Sequence, residues 1–203
     1  MKIHRRWFLA ICVLMLAVAW AMPIGSNAGP KEAEHVRWDI ASFDFTTTPF
    51  TISAGGVASA IAPSNLRITL TGSGTFVAPA SGGTSGAVTG GGTWETFGPT
   101  GASTGSGTYQ VTKLVDWEFA NIQLPNLIDL IGNENGRSNG NAVLRIEYSD
   151  GSQGVLGVGC HGPGAPDGII EGVIASKGFV TYWESEEPVP GVDANRTTFH
   201  ILR

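Results

Sequence analysis

One hexapeptide pattern occurs three times in this 203-residue chain. Thr71-Gly72-Ser73-Gly74-Thr75-Phe76 returns as Thr89-Gly90-Gly91-Gly92-Thr93-Trp94, then as Thr104-Gly105-Ser106-Gly107-Thr108-Tyr109, at offsets of 18 and 15 residues. Such an offset is one strand plus one turn. It is too short for a helical solenoid unit and suits successive strands of a meander or barrel. Glycine inside a strand costs stability unless it permits a sharp bend or a close approach of two backbones. Glycine kinks of that kind let a sheet curve until it closes. The repeat therefore predicts an all-β fold, an antiparallel β-barrel, with a β-sandwich joined by glycine-rich turns as the alternative. It also predicts Phe76, Trp94 and Tyr109 as equivalent aromatics on neighbouring strands.

The rest of the chain agrees with a β reading. Val36 to Phe45 alternates, with Val36, Trp38 and Ile40 on one side, then Phe43 and Phe45. Leu66 to Val77 alternates again, and Val111–Phe119, Ala142–Tyr148, Val155–Cys160, Ile169–Trp183 and Thr197–Leu202 complete the candidate strands. Period-two patterning rich in Thr and Val, broken at short intervals, is the strand signature. Ser149-Asp150-Gly151-Ser152 reads as a two-residue hairpin turn, because Asp-Gly accepts positive φ, and Gly82 to Gly86 as a loop. One short helix is expected at Pro125 to Ile131, opened by Pro, closed by Gly132, with Leu127, Ile128 and Ile131 sharing a face.

The N-terminus reads as an export signal spanning residues 1–28. Lys2, Arg5 and Arg6 form a basic start, Trp7 to Met22 an uncharged apolar run, and Ser26 and Ala28 the small residues of a cleavage site. The apolar run is shorter than the roughly 20 residues that span a bilayer, which disfavours a retained anchor. Arg5-Arg6-Trp7-Phe8-Leu9 resembles the twin-arginine pattern, although His4 and Ala10 stand where that pattern has Ser and Lys. The very short basic region and strongly apolar run suit the general secretory route better. The mature chain is then secreted or periplasmic, with an N-terminal arm at residues 29–35 and a single β domain at 36–203.

Three of the 12 basic residues and none of the 17 acids precede residue 29, so the mature part carries nine against 17, a formal −8. Without a Lys/Arg cluster, that balance excludes nucleic acid and anionic membranes as partners. Of the two cysteines Cys12 leaves with the leader, so no intrachain disulfide forms. About 175 residues can bury enough apolar surface without one.

Candidate chemistry concentrates in Gly159-Cys160-His161-Gly162-Pro163-Gly164-Ala165-Pro166-Asp167-Gly168. Cys160 has the residue type of a nucleophile, with His161 or Asp167 to activate it. Asp167 and Glu171 beside His161 have the composition of an acid/base group at a barrel mouth. Against this stand adjacent residues of extended backbone pointing to opposite faces, lone Cys usually behaving as a small hydrophobe, and loop carboxylates usually being solvated. Phe76, Trp94 and Tyr109 are ligand-binding candidates for stacking a sugar or an apolar molecule; core packing is the plainer reading. No C-x-x-C pair or His-rich helix accompanies Cys160 and His161, so no metal or cofactor is expected. His35 and His200 would meet only if the chain ends pair. Asn133-Glu134-Asn135-Gly136 fails as a calcium loop because Ile131 occupies its first ligand position. Asn195-Arg196-Thr197 is a glycosylation sequon, relevant only in a eukaryotic secretory pathway.

The run from Thr71 to Val111 resembles small secreted β-barrels such as the avidins, the lipocalins and the allene-oxide-cyclase or dirigent barrels. Thr93-Trp94 after glycines is similar to the avidin G-T-W, but that motif opens the avidin barrel, whereas here it lies mid-chain. Val143 through Tyr182, with Tyr148-Ser149-Asp150-Gly151 and Gly159-Cys160-His161, resembles uncharacterised bacterial exported Gly/Thr-rich β proteins. That resemblance covers most of the mature chain and implies no activity, so no functional residue is carried over. The expectation is an exported, non-enzymatic β-barrel that binds a small or extended ligand. One alternative is an exported barrel-type enzyme, isomerase- or cyclase-like, with its site at Cys160–Glu171. The other is a structural or adhesive surface module.

Overall fold

The three glycine hexapeptides fall on three strands that lie side by side. A computed structural model of the chain describes residues 32–189 and 194–202, and the expected leader and the first residues of the arm lie outside them. Fourteen strands follow in chain order: β1 (Glu34–Asp44), β2 (Phe50–Ala54), β3 (Ala58–Ala62), β4 (Leu66–Leu70), β5 (Ser73–Ala78), β6 (Val88–Phe97), β7 (Ser103–Ala120), β8 (Leu127–Asp129), β9 (Arg137–Tyr148), β10 (Gln153–Cys160), β11 (Gly172–Lys177), β12 (Val180–Tyr182), β13 (Glu184–Ser185) and β14 (Thr197–Leu202). Among the described residues no helix is long and apolar enough to cross a membrane.

Six strands close a ring. β1 pairs with β5, β5 with β6, β6 with β7, β7 with β9, β9 with β14, and β14 with β1, every pairing antiparallel. The barrel expected from the repeat is therefore present. Its glycines bring backbones into close approach: Gly74 faces Gly90 across β5 and β6, and a Cβ on Gly92 would lie 1.9 Å from the Thr71 carbonyl oxygen. That approach permits the curvature that closure requires.

Two strands of the ring also carry extensions. The first residues of β9 pair with β14, and the remainder with β10, which continues to β11 and β12. β6 likewise pairs first with β5 and then with β4, followed by β3 and β13. Inward residues of ring and extensions meet in a single apolar core that includes Trp38, Phe76, Leu70, Leu144, Leu156 and Phe199. The barrel is thus filled by side chains, as small barrels are.

Two local readings differ from expectation. Residues 127–129 form a strand, β8, parallel to β2, rather than a helical turn. Leu127 and Ile131 share a face at either period two or an i, i+4 spacing, so they do not discriminate. Ile128 does, since it is 45% exposed while its neighbours on both sides turn inward. The hairpin between β9 and β10 has a three-residue loop, closed by the Tyr148 N–H donating to the Ser152 carbonyl, with Gly151 at φ +84°.

Candidate functional site

The far side of β1 positions the site. Val36, Trp38 and Ile40 enter the core, so Arg37, Asp39 and Ala41 face outwards, yet Asp39 and Ala41 are fully buried. The segment carrying β8 reaches over this face, where the Arg37 guanidinium donates to the Ile131 carbonyl oxygen, and β8 pairs with β2, which in turn pairs with the end of β1. Beneath this cover Arg37, His200 and Arg137 sit directly across from one another on β1, β14 and β9. Asp129 of β8 binds the row. Its Oδ2 lies 2.9 Å from His200 Nε2 and 3.6 Å from Arg137 Nε, and its Oδ1 accepts from the backbone N–H groups of Ile131 and Gly132. A carboxylate only accepts, so the His200 proton is assigned to Nε2. Burial pushes the Asp129 carboxyl up, but the His200 and backbone hydrogen bonds outweigh it and hold the carboxyl below its ordinary value. For Asp39 the balance reverses: burial raises the carboxyl more than its paired hydrogen bonds from Arg37 lower it. Burial also lowers Arg137.

Beside this layer opens a cleft of ≈ 760 Å³. Phe43, Phe45 and Phe50 form one wall, their ring centroids 5.6–6.1 Å apart. Arg196 lies over Phe43 and Phe45, its guanidinium carbon 5.1 and 4.7 Å from the two ring centroids. The end of β10 and its return loop also line it, including Cys160, His161, Pro163 and Glu171. Asn139, fully buried, pins that loop: Oδ1 accepts from Gly162 N at 2.7 Å, and Nδ2 donates to Asn121 O at 2.8 Å.

The structure brings Cys160, His161 and Glu171 to one cleft. Glu171 Oε2 accepts from the His161 backbone N–H at 2.6 Å and Oε1 from Thr197 N–H at 3.0 Å, so the carboxyl ties the loop to β14. Burial pushes it up to about 7, against the pull of those two hydrogen bonds. The His161 imidazole places Nδ1 2.7 Å from the Ile169 carbonyl oxygen. The Cys160 side chain is buried, and burial with the Glu171 charge raises its thiol well above the usual range, opposed by Arg137. Asp167 is exposed and does not line the cleft.

Phe76, Trp94 and Tyr109 are buried in the core and do not line this cleft. Trp94 Nε1 donates to Thr108 O at 3.1 Å, and the Tyr109 hydroxyl to Thr71 O at 2.8 Å. They are staggered rather than aligned: Phe76 faces Val88, and Trp94 faces Gly107. The chain ends do pair, as adjacent members of the closed ring, but His200 faces Arg37 while His35 faces Leu202. Among the described residues no group of three or more His, Cys, Asp or Glu is arranged to hold a metal ion.

Sequence reasoning missed Phe50, Arg137 and Arg196 as site residues. Phe43 and Phe45 were legible as strand residues, but nothing local distinguishes an aromatic lining a cleft from one filling a core. Arg137 follows a polar loop, the usual place of a solvated charge.

Fold and site together define a filled antiparallel β-barrel with an external, aromatic-walled cleft. No protein-family model, curated protein or solved structure matches the chain.

Proposed function

We propose that the chain is exported through a cleaved leader and binds a small ligand in the cleft between the Phe43–Phe45–Phe50 wall and the Cys160–Glu171 segment. The barrel serves as scaffold, and the ligand sits outside it. The observation that carries this reading is the ≈ 760 Å³ cleft, where three phenylalanines converge with Arg137, Arg196 and Glu171. Small-molecule sites are concave, mostly apolar and carry a few placed polar groups, at volumes of roughly 300–1,000 Å³. The test is native mass spectrometry of the mature protein purified from an exporting host, beside a denatured run. A mass excess lost on denaturation, and absent from the Phe45→Ala/Phe50→Ala variant, is the expected result. A bare polypeptide mass, together with no binding of aromatic probe molecules, overturns it.

One observation favours a second reading, an exported isomerase- or cyclase-like enzyme at the same cleft. A carboxyl poised near 7 exchanges protons at neutral pH, as general acid/base catalysis needs. The carboxyl of Glu171 would then be the acid/base group and Cys160, buried and protonated, part of the wall.

A further inference from the structure

Arg137 is charged, buried, and poor in partners. Among the described residues its side chain, 5% exposed, has a single ion pair, to Asp129 at 3.6 Å, and its Nε makes no hydrogen bond. The same Asp129 oxygen is already engaged by His200 at 2.9 Å. A guanidinium carries five N–H donors, and burying a charge without satisfying it is costly. Arg137 also lines the cleft, beside Cys160. The phenylalanine wall lines the same cleft, and the cation site over Phe43 and Phe45 is already taken by Arg196. An aromatic wall with that site open would suit a cationic ligand; with Arg196 on it, the wall offers an apolar surface and the unmet demand is for an anion.

Resting on the small-ligand reading above, we infer that the cleft takes a monocarboxylate with a flat apolar body. Its carboxylate accepts from the Arg137 guanidinium, and its body packs between Phe45, Phe50 and Leu127. Guanidinium and carboxylate pair through two parallel N–H···O bonds, a geometry that an ammonium lacks. Leu127 and Phe50, directly paired between β8 and β2, supply the apolar floor.

The experiment titrates the mature protein by calorimetry with 1-naphthylacetate and with its uncharged amide, 1-naphthylacetamide. The acid should bind about tenfold or more tightly than the amide, as a charge-assisted hydrogen bond implies. Arg137→Gln should abolish that preference, the acid losing about tenfold or more in affinity relative to the amide. If Arg137→Gln does not fold, the charge-neutral double variant Asp129→Asn/Arg137→Gln makes the same comparison, with circular dichroism as the check. Phe50→Ala should weaken acid and amide alike. Equal affinities for acid and amide in the wild type would overturn the carboxylate inference and leave the small-ligand reading standing. An acid preference that survives both Arg137 variants would overturn it as well. Binding of neither compound would overturn the carboxylate inference, and only together with a bare polypeptide mass in the native spectrum would it remove the small-ligand reading as well.

Discussion

Across β5 and β6 the residues that face each other are Gly74 and Gly90; across β1, β14 and β9 they are Arg37, His200 and Arg137. Both regions belong to one ring, and they solve different problems. On the glycine side, side chains are removed so that backbones can approach and the sheet can bend. Polar tips there end on nearby carbonyls, as with Trp94 on Thr108 and Tyr109 on Thr71. On the other side a second layer, β2 and β8, seals charged groups beneath it, and the cleft opens at its margin. The glycine side is limited by volume and the covered side by charge. A ring can thus be closed by removing atoms in one sector while another is left to build a polar site.

Removing one charge should break the covered side most severely. Asp129→Ala leaves Arg137 buried without its counter-ion and deprives His200 and two backbone N–H groups of an acceptor. The expected loss is about 3–5 kcal/mol, the range for breaking a buried ion pair. Urea unfolding followed by tryptophan fluorescence measures it, and a loss below about 1 kcal/mol would mean water already satisfies the layer.

The glycine side should break by one added methyl group. In Gly92→Ala the new Cβ meets the Thr71 carbonyl oxygen at 1.9 Å, backbone against backbone, and a loss of about 3 kcal/mol is expected. Gly86→Ala is its partner experiment. Nothing lies within 4 Å of a Cβ there, so the change should stay within about 0.5 kcal/mol. Similar melting temperatures for the two variants would remove the volume argument.

A smaller, pH-dependent effect should mark the cleft. The folded state holds the Glu171 carboxyl near 7, above its ordinary 4.5. Between those values the folded chain binds more protons than the unfolded one, so stability falls as pH rises through that window and levels off above it. The slope from this group is at most about 1.4 kcal/mol per pH unit. Subtracting the urea midpoints of Glu171→Gln from those of the wild type between pH 4 and 8 isolates it. A flat difference would show that solvent reaches the carboxyl freely. On the glycine side the buried Tyr109 hydroxyl stays protonated throughout that window.

Legibility followed the same division. The three hexapeptides predicted barrel curvature because glycine within a strand has few other uses. Alternation in Val36–Phe45 and Ala142–Tyr148 marked the strands because period two is local. β2 and β3 went unread: Phe50–Ala54 and Ala58–Ala62 are five residues each, near Pro49, Gly55 and Gly56, and look like loop until their partners are known. Leu127–Asp129 was read as helix because the spacing of 127 and 131 fits both periods. Of the site, Cys160, His161 and Glu171 stood out as unusual residues in a dense patch, and the structure gathers them. Asp167, from the same patch, remains in solvent.

By itself the sequence determined the fold class, the curvature device and the segment where one wall of the cleft lies, since each depends on residue type and spacing within a few positions. Tertiary structure alone decided that Arg137 is buried, that Asp129 serves both it and His200, and that Phe43, Phe45 and Phe50 line one cleft with Glu171. Asp129 and His200 are 71 residues apart, and the phenylalanines lie more than 120 residues from Glu171, so pairing between distant strands brings them together. Whether a charge is solvated or sealed depends on what covers it, and here the cover is a strand from elsewhere in the chain.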